Sequence, residues 1–248
     1  MNCSDTFPLI HIAETDSTNN YLSVLCDNQQ VDKFTTVLTD FQTAGKGQRG
    51  NSWESDYEKN LLISFVLFPD FLEAKRQFLI SQIASLSIKE ELDTYTNGIS
   101  IKWPNDIYWK EKKICGMLIE NDLTGSCISR SIIGIGVNIN QEVFRSNAPN
   151  PVSLFQITGK KNELLPLLSN IMQRVQTYYQ ELEAGNAQVI ANKYLNALFR
   201  KEGMHKYSDD NGEFFAHIER VEPEGFLILK DEGGNERKYA FKEVQYRL

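Results

Sequence analysis

The sequence predicts an α+β fold in two unequal parts, strands mixed with helices over residues 1–203 and a small all-β part over 204–248. Two observations carry this. Period-two runs such as LIHIAE and FTTVLTDF alternate with helical-period stretches such as NELLPLLSNIMQRVQTYYQELEA as far as Arg200. From His205 onward, short alternating runs are broken only by turn signals at Asp210 to Gly212 and Gly233 to Asn235, the pattern of a small barrel whose core is too small to be very stable alone.

LIHIAE reads as a strand, and Asp16, Ser17, Thr18 and Asn19 supply a cluster of N-cap side chains for the helix NYLSVLCDN. FTTVLTDFQTA is strand-like and runs into the glycine-rich, basic segment GKGQRG. LLISFVLFP, closed by Pro69, is the next strand, so the glycine segment joins two strands. Between Phe71 and Tyr95, Leu72, Leu79, Ile83, Leu86 and Leu92 recur at helical spacing opposite Glu73, Lys75, Lys89 and Glu90, which predicts one long amphipathic helix. ISIKWPNDIYW, the charged turn KEKK and ICGMLIEN predict a β-hairpin, and SRSIIGIGVNIN a further strand. AQVIANKYLNALFR is the last helix before the tail.

With 41% hydrophobic residues in a 248-residue chain, a substantial core can be buried. The net charge of -7 and pI near 5.1 exclude a global basic field for nucleic acid or an anionic membrane, so any positive patch is local. Cys3, Cys26, Cys115 and Cys127 form no CxxC pair, and His11, His205 and His217 make no zinc-type cluster, which suits a reduced, cytoplasmic chain. The start has no signal-peptide pattern. The apolar run Leu61 to Phe68 fits a buried strand and falls far short of the roughly 20 residues a membrane span needs.

KWPND presents Lys102, Asn105 and Asp106 from a strand end. Pro, Asn and Asp make a turn by themselves, but a lysine also suits a phosphate or carboxylate, and an aspartate a magnesium ion or an amine proton. Lys112 and Lys113 occupy a hairpin turn, where solvated lysines are ordinary, yet Gly116 just beyond suggests close backbone approach. Gly134 and Gly136 clear one strand face for a flat ligand, although a bulge or tight packing explains them equally well. The GKGQRG segment lies between strands and so is neither a P-loop nor a dinucleotide fingerprint; it is a glycine-hinged loop with Lys46 and Arg49 as cations and Gln42 on its flank.

Taken in order, DSTN, QTAGKGQRG followed by Trp53 and Glu-Ser, KWPND, a lysine ahead of a strand glycine, and GIGVN resemble the biotin protein ligase family, the biotin–acetyl-CoA-carboxylase ligases, over essentially the whole chain, including the YAFKEVQYRL ending. The resemblance implies a mixed-sheet catalytic domain of the kind shared with class II aminoacyl-tRNA synthetases, plus an SH3-like C-terminal domain. It implies ATP-dependent formation of biotinyl-5′-AMP and transfer of biotin to a lysine of a biotin carboxyl carrier domain. By matching motifs, Ser17, Thr18 and Asn19 meet the ureido ring, and Gln42, Gly45, Lys46, Gly47 and Gln48 line the same pocket. Lys113 touches the reacting carboxyl beside Gly116. Lys46, Arg49, Trp53, Lys102, Asn105 and Asn138 serve ATP or the adenylate, with Trp53 stacking on adenine. Lys113, Lys102, Asp106 and Arg49 are the implied catalytic groups, Asp106 as a Mg2+ ligand or a base for the acceptor amine. The loop departs from the family's GRGRRG at Lys46 and Gln48.

With no candidate DNA-reading segment, a monofunctional enzyme is expected, without nucleic-acid or membrane partners. An alternating open edge strand can pair with a second copy or with the acceptor. Two other readings stay open: a lipoate or octanoate transferring enzyme of related fold, for which Cys115 is the cysteine at hand, and a non-enzymatic ligand-sensing module.

Overall fold

The computed structural model describes residues 7–47, 52–146 and 148–247. Strands β1 (Leu9–Thr15), β2 (Thr36–Gln42), β3 (Leu61–Leu67), β4 (Ile99–Lys102), β5 (Asp106–Trp109), β6 (Lys112–Thr124) and β7 (Cys127–Val137) form one sheet in the order β1-β2-β3-β7-β6-β5-β4. Only β1 and β2 run parallel, so the sheet is mixed. Its helices are α1 (Thr18–Asn28), α2 (Phe78–Leu92), α3 (Leu154–Thr158), α4 (Leu164–Glu183) and α5 (Ala187–Asn196). β8 (His205–Asp209), β9 (Gly212–Val221), β10 (Leu227–Asp231), β11 (Glu236–Tyr239) and β12 (Gln245–Tyr246) form a second, antiparallel sheet in the order β11-β10-β9-β8-β12.

Alternation along the central strands explains the layering. On β3, Leu61, Ile63, Phe65 and Leu67 join the large core under α2 and α4, while Val66 turns to the opposite face and packs with Leu22 of α1, Val37 and Ile132. β3 is therefore buried on both faces, which is why it reads as a continuous apolar run.

Two expectations need correction, and one helix answers to no expectation. The long amphipathic helix is a separate 3-10 turn, Ala74–Arg76, followed by α2; Glu73 and Lys75 are exposed and Lys89 and Glu90 half-buried as the pattern requires, but Ser81, Gln82, Ser85, Ser87 and Glu91 of α2 are buried as well. α4 and α5 cover it from outside, and Glu91 is satisfied there by Asn170 Nδ2 at 2.9 Å and Arg174 Nε at 3.3 Å. KWPND also divides the expected strand: Lys102 ends β4, Asp106 begins β5, and the two pair across the turn, so there are two successive hairpins. Finally, α3 went unpredicted, although Ser153 and Gln156 form a reciprocal capping box at its start.

The core runs without a break into the second sheet, taking in Tyr207, Ala216, Ile218, Leu227, Leu229, Tyr239 and Val244. At the junction the Trp103 indole donates to Gly225 O at 3.0 Å and meets the Phe241 ring edge-on at 6.2 Å. No helix among the described residues is long and apolar enough to cross a membrane.

Candidate active site

One cavity of about 670 Å³ gathers most of the implied site residues: Ser17, Thr18, Asn19, Gln42, Lys46, Gly47, Trp53, Lys102, Asp106, Lys113, Gly116 and Asn138. Gly45 and Asn105 do not line it. Gly45 is approached by the Trp53 carbonyl, 2.7 Å from where a Cβ would stand, and Asn105 is buried in the β4–β5 turn. Gln48 and Arg49 lie outside the described residues.

At one end the lining is uncharged. Ser17 stands at the N-cap of α1, yet its side chain makes no capping bond; the first helical N–H, of Thr18, donates instead to Gln42 Oε1 at 2.9 Å. The orphan donor of the helix is thus satisfied from β2, which leaves the α1 side chains to face the sheet. Ser64 Oγ lies 2.7 Å from Thr18 Oγ1 and 2.6 Å from Asn19 Oδ1, and its single hydroxyl proton can serve only one of them. Asn19 Nδ2 reaches Glu120 Oε2 at 2.7 Å. Gly134 permits this, because a Cβ there would come within 2.1 Å of Asn19 Oδ1.

The middle is a bare shelf. Gly116 and Gly136 are directly paired across β6 and β7, and Trp53 lies over them, with Cε2 at 2.4 Å from a Cβ built on Gly136 and Cζ3 at 2.8 Å from one on Gly116. The strand glycines therefore make room for Asn19 and Trp53, neither of which the sequence reading connected with them. Trp53 is anchored by its backbone N–H, which donates to Gly45 O at 2.9 Å, and Lys46 bridges to Ser52, which closes the base of the glycine segment. Lys46 Nζ donates to Asn20 Oδ1 at 2.6 Å.

The other end is charged. Lys113 Nζ is 2.7 Å from Asp106 Oδ1. Lys113 and Gly116, an odd number of residues apart, would face opposite sides of a regular strand, but the bulge between Ile107 and Tyr108 registers brings the lysine to the pocket side, its Nζ 3.2 Å from a Gly116 Cβ. Lys102 Nζ donates to Tyr108 OH at 3.1 Å and lies 5.2 Å from the Tyr246 ring of the second sheet. Burial holds the Lys102 amine below its ordinary pKa; Lys113 and Arg200 push the same way and Asp106 opposes them. Burial likewise pushes the Cys115 thiol far up, so this cysteine beside Gly116 is a packed apolar group.

The outer wall is made by Phe144, Ser146, Ala148, Pro149 and Pro151. Backbone N–H groups of Arg145 and Ser146 donate to the two Glu54 carboxylate oxygens at 2.7 and 2.8 Å. Burial works against the Glu54 charge, but these bonds outweigh it and hold its carboxyl below the usual range. Lys113 pairs with 150–152 through Asn150 O and the Val152 N–H, both at 2.9 Å. Phe241 and Lys242 of the second sheet complete the cavity from one side. Among the described residues Trp53 Nε1 and Asn138 Oδ1 are buried without a hydrogen-bond partner.

A mixed sheet bearing a cavity with an uncharged hydrogen-bonding head, an apolar waist and a lysine-rich foot defines a site for an elongated ligand with a polar head and an anionic tail. Residues 12–138 of the 248-residue chain match the model of the Biotin/lipoate A/B protein ligase family, and the chain belongs to that family. It is similar to the biotin protein ligase from Aquifex aeolicus in complex with biotin and ATP, with a TM-score of 0.79, 26% identity and 97% and 98% of the two chains covered. It is also 28% identical over 235 residues to the biotin--[acetyl-CoA-carboxylase] ligase of Paracoccus denitrificans, covering 91% of this chain and 95% of that one. Against the bifunctional ligase/repressor BirA of Bacillus spizizenii it is 25% identical over 236 residues, spanning 70% of that protein's length.

Proposed function

We propose that the chain is an ATP-dependent biotin protein ligase, forming biotinyl-5′-AMP and passing biotin to a lysine of a biotin carboxyl carrier domain. The observation that carries this is the order of chemistry along one cavity. Thr18, Asn19, Gln42 and Ser64 are uncharged donors and acceptors suited to a ureido ring, the apolar ring of Trp53 packed on Gly116 and Gly136 suits a thioether ring and alkyl chain, and Lys113 meets a carboxylate. A lipoyl ring has no hydrogen-bonding head and would leave the first group unpaired, which disfavours it strongly. The buried Cys115 speaks against a thioester-forming transferase.

In the first step a biotin carboxylate oxygen attacks the α-phosphorus of ATP, the bond to the bridging β-phosphate oxygen breaks, and pyrophosphate leaves. Lys113 and Lys102 are the cations that bring two anions together and stabilise the spreading charge, in a partly desolvated site where such charges act more strongly than in water. Asn138 Oδ1, buried and unpaired, offers an acceptor to the exocyclic amine of adenine, and Trp53 a ring to stack on it. In the second step the neutral carrier amine attacks the acyl carbon, the acyl C–O bond breaks, AMP leaves and the nitrogen gives up a proton. As Lys113 turns from Asp106 to the biotin carboxylate, Asp106 is released to take that proton.

For a Mg2+ ion brought in by the nucleotide, Asp106 would be the carboxylate to hold it, since Glu54 is taken up by backbone donors. The ion would supply charge neutralisation of the triphosphate. The test is biotin-dependent exchange of labelled pyrophosphate into ATP, followed by transfer to a carrier domain; no exchange with biotin, or equal exchange with lipoate, would sink this assignment.

A further inference from the structure

We infer that Lys242, on the turn between β11 and β12, is a further substrate-contacting cation of this cavity, placed to hold the β- and γ-phosphates of ATP and the pyrophosphate they become. The inference rests on the ATP-dependent reading above. Three independent features of the molecule support it.

The first is position. Lys242 and Phe241 line the cavity from the second sheet, and the Phe241 ring packs against Trp103, the residue that follows Lys102. Lys242 therefore enters at the Lys102–Asp106 end, away from the uncharged end formed by Thr18 and Gln42.

The second is charge. Each other described lysine of the cavity already has a polar partner: Lys113 the Asp106 carboxylate, Lys46 the Asn20 amide oxygen, Lys102 the Tyr108 hydroxyl. Among the described residues Lys242 makes no ion pair, and its ammonium lies 5.8 Å from the Phe241 ring centre. A triphosphate carries more charge than Lys102 can neutralise once Lys113 serves the biotin carboxylate. A solvent-facing cation at the rim meets the end of the nucleotide that departs.

The third is the backbone. Lys242 has φ +75, in the left-handed region that suits glycine and strains a lysine. The side chain is exposed, so no burial offsets that strain. A strained residue at the rim of a site is more economically explained by what its side chain does than by packing.

Lys242→Gly removes the ammonium and suits the backbone, so the variant is expected to melt no lower than the parent. Its KM for ATP and for pyrophosphate in biotin-dependent exchange should each rise about tenfold, the loss of one charge-assisted hydrogen bond. The KM for biotin and the affinity for a non-hydrolysable biotinyl-adenylate analogue should not change, because neither carries β- or γ-phosphate. Lys242→Arg should restore most of the loss. Unchanged KM values for ATP and pyrophosphate overturn the inference, as does a parallel loss of affinity for the adenylate analogue, which marks a merely structural role. A rise confined to the KM for the carrier domain overturns it too, assigning Lys242 to the acceptor. If the parent enzyme performs no biotin-dependent exchange, the functional assignment itself fails and this inference with it; an active parent with an indifferent variant fails the inference alone.

Discussion

The Lys113 ammonium and the Asp106 carboxylate are 2.7 Å apart, carried by adjacent strands β6 and β5 and both about 30% exposed. Two groups with separate implied roles are thus one ion pair before substrate binds. At that exposure the pair contributes at most about 1 kcal/mol to folding, so its value is functional.

Lys113→Ala should therefore leave the melting temperature within a few degrees while lowering single-turnover adenylate formation about 10²-fold or more, the usual cost of losing a cation that acts in the transition state. Asp106→Asn should leave adenylation closer to normal and slow the transfer step. Equal effects of both variants on both steps would show that the pair acts as one unit rather than in turn.

The depressed pKa of Lys102 sets a pH dependence. The amine is neutralised at lower pH than an ordinary lysine, so kcat/KM for ATP should fall on the alkaline side below the roughly 10.4 of a free lysine. Asp106 supports the charged form, so Asp106→Asn should move that limb to still lower pH. Lys102→Arg should move it up or remove it. A limb that stays put in Lys102→Arg assigns the titration to another group.

Gly136→Ala places a methyl 2.4 Å from the Trp53 ring and must displace the indole. Intrinsic fluorescence should change and biotin affinity should drop by about tenfold or more, with a modest stability cost of about 1–3 kcal/mol for overpacking. Normal biotin binding in a folded Gly136→Ala protein would remove Trp53 from the site.

Ending the chain after Gly203 strips the Trp103 N–H of its Gly225 acceptor and Lys102 of the Tyr246 ring, and opens a core that runs through both sheets. The expected outcome is a markedly lower melting temperature together with loss of ATP use, measured by calorimetry and pyrophosphate exchange. A truncated protein that melts like the parent would make the second sheet an independent module.

Much of this protein was legible locally. Period-two and helical runs placed β1 to β3, α4, α5 and the β tail; turn chemistry placed KWPND at a strand end; and the glycine segment fell between two strands because no helix follows it. The Ser153–Gln156 capping box is equally local. What the tertiary structure decided was register and coverage. That Gly116 faces Gly136, that a bulge turns Lys113 onto the pocket side, and that Asn19 reaches Glu120 each depend on pairings between distant segments, which period and propensity do not encode. Glu91 of α2 is buried because α4 packs over it, which nothing in the residues of α2 itself announces. Phe241 and Lys242 reach the cavity for the same reason: a strand-rich tail shows its own turns in sequence, but only packing against Trp103 determines which wall of which site those turns complete.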